Sequence, residues 1–151
     1  LSDSQIVIEG EAVLPVSREL AWEYLNDPQI LKQCIKGCDD VNKDEDGNFH
    51  AVFVFRMRPF HKVIDAVLTV NQIDPPACYS LSSSVSTKAM GNASGTAMVR
   101  LAEKEGATFL QYRANIGITG WFARMGGKMV EDAAGRYMAT FFDRFVNVIA
   151  H

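Results

Sequence analysis

The chain holds three histidines and three cysteines, and with one glycine-glycine-lysine step these are its residues with chemistry of their own. His50 falls on the polar side of an alternating stretch, His61 in a turn beside Pro59, and His151 at the end. None stands at a sequence spacing from a carboxylate or thiol that makes a nucleophile and base. Solvated imidazole is the simpler reading, with pairing across strands left open. Cys34 and Cys38 are four apart and Cys78 stands alone. A structural zinc site needs two close-spaced pairs, and an odd, sparse set makes no disulfide framework. Reduced, partly buried thiols in a cytoplasmic protein are expected. Gly126-Gly127-Lys128 opens a helical stretch and could hold an anion on free backbone N–H groups, but the rest of a phosphate-binding loop is missing. Asp65 reads as an exposed cross-strand partner of Arg56 or Arg58, and Asp132 as a complement to a helix dipole. No catalytic residue and no metal ligand is assigned.

The stronger chemical signal is apolar. Hydrophobic residues make up 48% of the chain. Phe53, Phe55, Met57, Leu68, Leu81, Val99, Tyr112, Ile116, Met129, Tyr137 and Phe141 recur at positions that face inward, with Ala66, Gly95, Ala97, Ala114 and Ala133 between them. Such a face either fills a core or lines a cavity for a flat or elongated apolar ligand, which Tyr112, Tyr137 and Ser83 would orient. Trp121, Phe122 and Met125, beside Arg124 and Lys128, and Met90 in a second loop, form a candidate entrance or membrane contact. Aromatic rings suit headgroup depth and cations suit anionic lipid. The plainer alternative is that Trp121 and Phe122 plug the end of the core.

These residues must be positioned by one domain spanning residues 1–151. A chain of that length buries roughly 70% of its extended surface. Fifteen basic against 18 acidic side chains, net -3, argue against a nucleic-acid surface. No apolar run approaches the ~20 residues of a membrane span, and no signal-peptide pattern opens the chain. Gln5 to Leu14 reads as a strand stopped by Pro15. Ser17 caps a helix to Leu25, and Pro28 starts a second, Gln29 to Cys34, broken by Gly37. The period then changes to two. Val41 to Asp44 and the turn Glu45 to Asn48 lead into strands punctuated by Pro59-Phe60-His61, Asp74-Pro75-Pro76, a loop Thr87 to Asn92, and Glu103 to Gly106. From Lys128 to Ile149 the period is helical, with Val130, Ala133, Ala134, Tyr137, Phe141, Phe145, Val148 and Ile149 on a broad apolar side. Helices segregated to one face of an antiparallel sheet make an α+β fold. The order predicts a helix-grip arrangement: a curved antiparallel sheet of about seven strands wrapped around a long C-terminal helix, with two short helices after the first strand. A straight helix cannot close on a curved sheet everywhere, which is why a hollow is expected.

The stretch Leu25-Asn26-Asp27-Pro28-Gln29-Ile30-Leu31-Lys32-Gln33-Cys34-Ile35-Lys36-Gly37-Cys38 resembles CoxG, a carbon monoxide dehydrogenase protein family of the START-like (SRPBCC) superfamily. Phe53-Val54-Phe55-Arg56-Met57-Arg58-Pro59-Phe60, Ala93 to Leu101 and Ile118-Thr119-Gly120-Trp121-Phe122-Ala123-Arg124-Met125-Gly126 agree in order. Lys36 departs from the family's usual Pro, and Arg58-Pro59 from a frequent Gly-Pro. Many members carry a tail with an apolar anchor, whereas this sequence stops at His151, so transient peripheral contact with the inner membrane face is expected rather than anchoring. The resemblance implies the helix-grip fold and a non-enzymatic accessory or carrier role. It implies no covalent cofactor, a quinone or similar lipophile as ligand, and a molybdenum hydroxylase of the carbon monoxide dehydrogenase type as partner, linked by this protein to the membrane. A START-like cyclase or hydratase, or an adaptor with a filled core, are the alternatives. The sequence leaves the oligomeric state open.

Overall fold

A computed structural model describes residues 4–57, 60–87, 91–124 and 126–150. Strand β1 (Ser4–Leu14) is followed by helices α1 (Arg18–Leu25) and α2 (Pro28–Cys34). Six strands follow: β2 (Cys38–Lys43), β3 (Phe49–Met57), β4 (Phe60–Asp74), β5 (Cys78–Thr87), β6 (Gly91–Lys104) and β7 (Ala107–Ile118). A short helix α3 (Trp121–Arg124) leads into α4 (Gly127–Ile149). The seven strands form one antiparallel sheet in the order β1-β7-β6-β5-β4-β3-β2, so the first strand pairs with the last. This is the helix-grip architecture that the periodicity predicts.

Local chemistry sets the boundaries. The Ser17 hydroxyl accepts from Leu20 N at 3.3 Å and caps α1, a contribution of about 1 kcal/mol. Asp27 caps α2, its carboxylate accepting from Gln29 N at 2.9 Å, with Pro28 as first helical residue. One boundary differs from the sequence reading. Strand β2 starts at Cys38 rather than Val41, because a bulge between Cys38 and Asp40 keeps the extra residues in register with β3.

The core has three packed groups. Leu14, Leu25, Cys34, Tyr79, Val99, Leu101, Leu110, Phe145 and Ile149 close one end of the molecule. Ile6, Ile8 and Ile118 pack with Val130, Ala134 and Met138 of α4. Leu31, Val41 and Phe49 join α2 to β2 and β3. Helix α4 lies close against β1 on one side and α2 on the other, and α2 against β2. Phe145 is fully buried, so truncating it to Ala would cost about 3–5 kcal/mol.

The packed side of α4 runs through Val130, Ala134, Met138, Phe141, Phe142, Phe145 and Ile149. Two expected inward residues are not on it. Met129 is 57% exposed, and Ala133 is exposed as well. At 3.6 residues per turn they lie about 100° or more from the centre of the packed side. The broad apolar side read from the sequence is thus narrower in the fold.

Candidate functional site

Alternation along each strand puts one set of side chains toward α4. These are Phe49, Ala51 and Phe53 on β3; Ile64, Ala66, Leu68 and Val70 on β4; Tyr79, Leu81 and Ser83 on β5. They continue with Gly95, Ala97, Val99 and Leu101 on β6, and Leu110, Tyr112, Ala114 and Ile116 on β7. Their burial is uneven. Toward one end, Leu14, Leu101, Leu110 and Phe145 have at most 3% exposure. Toward the other, Ile6, Ile8, Ile64 and Ile118 are buried as well, while Phe53, Ala66, Ala97 and Ala114 are only half-buried. Among the described residues, Phe53, Ala66 and Ala97 belong to none of the three packed groups. Adjacent small side chains explain the difference: Ala97 pairs with Ala114 on one side and Leu81 on the other, and Gly95 pairs with Ile116. These positions contribute little side-chain volume to the face turned toward α4.

The expected site residues divide accordingly. Phe53, Ala66 and Ala97 are half-buried and lie outside the three packed groups. Leu68 packs with Leu31, Val41 and Phe49, while Ile116 packs with Ile6, Ile8 and Ile118. Leu81, Val99, Tyr112 and Phe141 contribute to the sealed end. Met129 and Ala133 are at the outer side of α4, as is the exposed Lys128 of the expected entrance, while the exposed Arg124 ends α3. Lys128 pairs with Asp132 at 3.1 Å, which raises the ammonium pKa through that hydrogen bond. Met90 and Met125, and the side chains of Phe55, Met57, Trp121 and Phe122, lie outside the described residues.

Two tyrosines gain specific roles. The Tyr137 hydroxyl donates to the Lys36 carbonyl, tying α4 to the turn between α2 and β2. Burial, with a smaller effect of Cys38, pushes its pKa up to about 12. Its hydroxyl proton is therefore engaged rather than free to orient a guest. The Tyr112 ring stacks on Phe142 with centroids 5.5 Å apart and planes at 25°. It lies over Gly10, its partner on β1, where a Cβ would sit 2.6 Å from the Tyr112 Cε2 and Cζ. Burial raises the Tyr112 pKa too. Phe142 continues to Phe141 (5.0 Å, edge-on), and Phe141 to Phe145 (5.8 Å, stacked). The sequence reading missed Phe142 and Gly10. Phe142 was visible as four residues after Met138 and three before Phe145; a strand-interior glycine opposite an aromatic ring was the signal for Gly10.

The polar candidates resolve simply. His50 does pair with a carboxylate: its Nε2 lies 2.7 Å from Asp44 Oδ2. The pair is at the β2–β3 hairpin, where Asp44 also accepts from Asp46 N and Asn48 N at 2.9 Å each. The His50 hydrogen bond is the main reason the exposed Asp44 carboxyl pKa is lowered. This is a turn lock, remote from α4. Burial raises the thiol pKa of Cys34 and Cys38, which keeps both protonated and poorly nucleophilic. No cluster of metal-ligating side chains occurs among the described residues.

The two best-formed depressions among the described residues are open troughs on the outer sheet face, away from α4. One, of about 550 Å³, is bordered by Thr69, Ser82, Ser84, Ser94, Thr96 and Asn115. The other, of about 610 Å³, is bordered by Glu9, Glu11, Met98, Arg100, Gln111 and Arg113. The sequence reading, occupied with the inward faces, named neither. No helix among the described residues is long and apolar enough to cross a membrane.

Comparison with known proteins adds a family. The model of the carbon monoxide dehydrogenase family CoxG matches residues 10–150. A conserved protein from Geobacillus kaustophilus is 26% identical, with a TM-score of 0.82 over 99% of this chain and 95% of that one. A protein of unknown function from Staphylococcus aureus is 17% identical, with a TM-score of 0.69 over 98% of this chain and 95% of that one. The Mll3558 protein from Rhizobium loti is 14% identical, with a TM-score of 0.70 over 95% of this chain and 99% of that one. The last two likenesses show the fold alone. No curated protein matches.

Proposed function

This chain belongs to the CoxG family of carbon monoxide dehydrogenase proteins, and on that premise we propose that it is a ligand-binding accessory protein, not an enzyme. Its guest is a lipophilic molecule, a quinone by the chemistry of the redox partner that the family name implies. The guest sits between the sheet and α4, its tail among Phe53, Ala66, Ala97 and Ala114. The protein shields it from water and passes it between a membrane surface and a molybdenum hydroxylase of the carbon monoxide dehydrogenase type. The observation that carries this reading is the run of small, half-buried side chains Ala66, Ala97 and Ala114 in the middle of the inward face, with Phe53 beside them. The polar groups on that face support carriage over proton transfer. Among the described residues they are tyrosine, serine and threonine hydroxyls and thiols, with burial holding the tyrosines and Cys34 protonated.

The test is native mass spectrometry of the chain recovered from membranes, together with a quinone titration read by tryptophan fluorescence. A one-to-one complex and saturable quenching are expected. Ala97→Phe fills the region beside Ala114 and should abolish quenching while shifting the melting temperature by only a few degrees. A chain that carries no lipophile and gives the same fluorescence with and without quinone refutes the reading.

A further inference from the structure

With Met129 set aside, the exposed large apolar side chains among the described residues are Val7, Val13, Val67 and Phe109, all on the outer face of the sheet. Two of them touch in the pairing register: Val13 (55% exposed) lies opposite Phe109 (44% exposed), and Phe109 lies opposite Ala102 on β6. Three apolar side chains thus stand in a row across β1, β7 and β6. The next row along the strands is Glu11, Gln111 and Arg100, an acid, an amide and a base in that order. Neither Glu11 nor Arg100 has an ion-pair partner among the described residues. One row further, Glu9 and Arg113 already pair at 3.1 Å.

We propose that this face docks a second copy of the same chain, about a two-fold axis lying between the two sheets and parallel to β7. Such an axis sets β7 against β7 and exchanges β1 with β6. Phe109 then meets Phe109 of the second copy, and Val13 covers its Ala102. Glu11 meets the second copy's Arg100, and Arg100 its Glu11. The apolar row and the Glu11–Gln111–Arg100 row are self-complementary under this one operation, as an isologous interface requires; in the row beyond, Arg113 falls opposite its own copy with its charge already offset by Glu9. Near-parallel strands across the interface are the common geometry for stacked twisted sheets. The arrangement has an aromatic anchor on the two-fold axis and charges in the next row. It is independent of what α4 and the sheet enclose.

Sedimentation equilibrium of the full chain tests it, over a concentration series. The expected mass is twice 16.7 kDa. Phe109→Asp should weaken the dimer by roughly a thousandfold, a hot-spot loss taken twice across the two-fold. Glu11→Arg alone and Arg100→Glu alone should each be monomeric, since each sets like charges opposite. Mixed together they should form a dimer, because both cross-pairs are then opposite in sign. Far-UV circular dichroism of each variant confirms that it is folded. A wild-type chain that stays monomeric up to its solubility limit overturns the proposal. So does a dimer that survives Phe109→Asp, or a mixture of the two charge variants that remains monomeric.

Discussion

Replacing Gly10 with alanine should destabilise the protein through one ring. The new Cβ would stand 2.6 Å from the Cε2 and Cζ of Tyr112, where carbon atoms rest at about 3.5–4 Å. The ring must retreat by about 1 Å, and it retreats against Phe142, on which it already stacks at 5.5 Å. Forcing extra volume into such a packed site costs roughly 1–3 kcal/mol, and loss of the aromatic pairing adds about 0.5–1.5 kcal/mol. Alanine offsets about 0.5–1 kcal/mol by restraining the unfolded chain. The net expectation is roughly 0.5–4 kcal/mol, or a melting point lower by roughly 1–16 °C for a domain of this size. Urea unfolding of a double-mutant cycle checks the cause. In a Tyr112→Ala background the same Gly10→Ala change should be neutral or stabilising, giving a coupling energy of about 1 kcal/mol or more. If Gly10→Ala is harmless beside the intact Tyr112, or if its cost is the same with and without that ring, the packing account is wrong.

Two further outcomes follow from positions already described. Gly91 has φ +85, and a Cβ there would stand 2.9 Å from the Thr119 carbonyl carbon. Gly91→Ala therefore meets both backbone strain and a backbone obstacle, and should cost roughly 2–4 kcal/mol in urea unfolding; a stability equal to wild type would contradict this. Tyr137 keeps its proton in the folded state up to about pH 12, whereas the unfolded chain releases it near 10.0. The native state then binds more protons in that window, so stability is full below about pH 10 and falls as pH rises toward about 12. In Tyr137→Phe that decline should be shallower, measured as urea midpoints from neutral pH upward; parallel declines in the two proteins would rule Tyr137 out as a contributor.

The sheet was legible because alternation is a strong signal when one face is buried. Residues 93 to 101 and 110 to 118 each show it without interruption, and the structure puts Val99, Leu101, Leu110 and Ile118 in the core. The helix ends were legible because Ser17, Asp27 and Pro28 act locally. What escaped needed partners distant in sequence. Nothing near Tyr137 predicts that its hydroxyl reaches the carbonyl of Lys36, 101 residues away. The exposure of Met129 and Ala133 was not legible because an apolar residue on a helix reports composition, while burial depends on which neighbours arrive. Here α2 and β1 flank α4 closely enough to leave that side bare. Val13 and Phe109 look like ordinary strand residues until the first strand is known to pair with the last.

The two ends of the sheet order are β1 and β2, and each runs beside a helix, α4 along β1 and α2 along β2. An uncovered strand edge is a template for aggregation. Peeling α4 away to admit a large guest would uncover β1 along its length, a hazardous intermediate in a crowded cell. For the carrier role proposed above, entry along the helix axis, from the end opposite Phe145, would leave both edges flanked throughout. On that proposal the flanked edges favour loading by threading over loading by unwrapping, and a guest long and slender enough to thread.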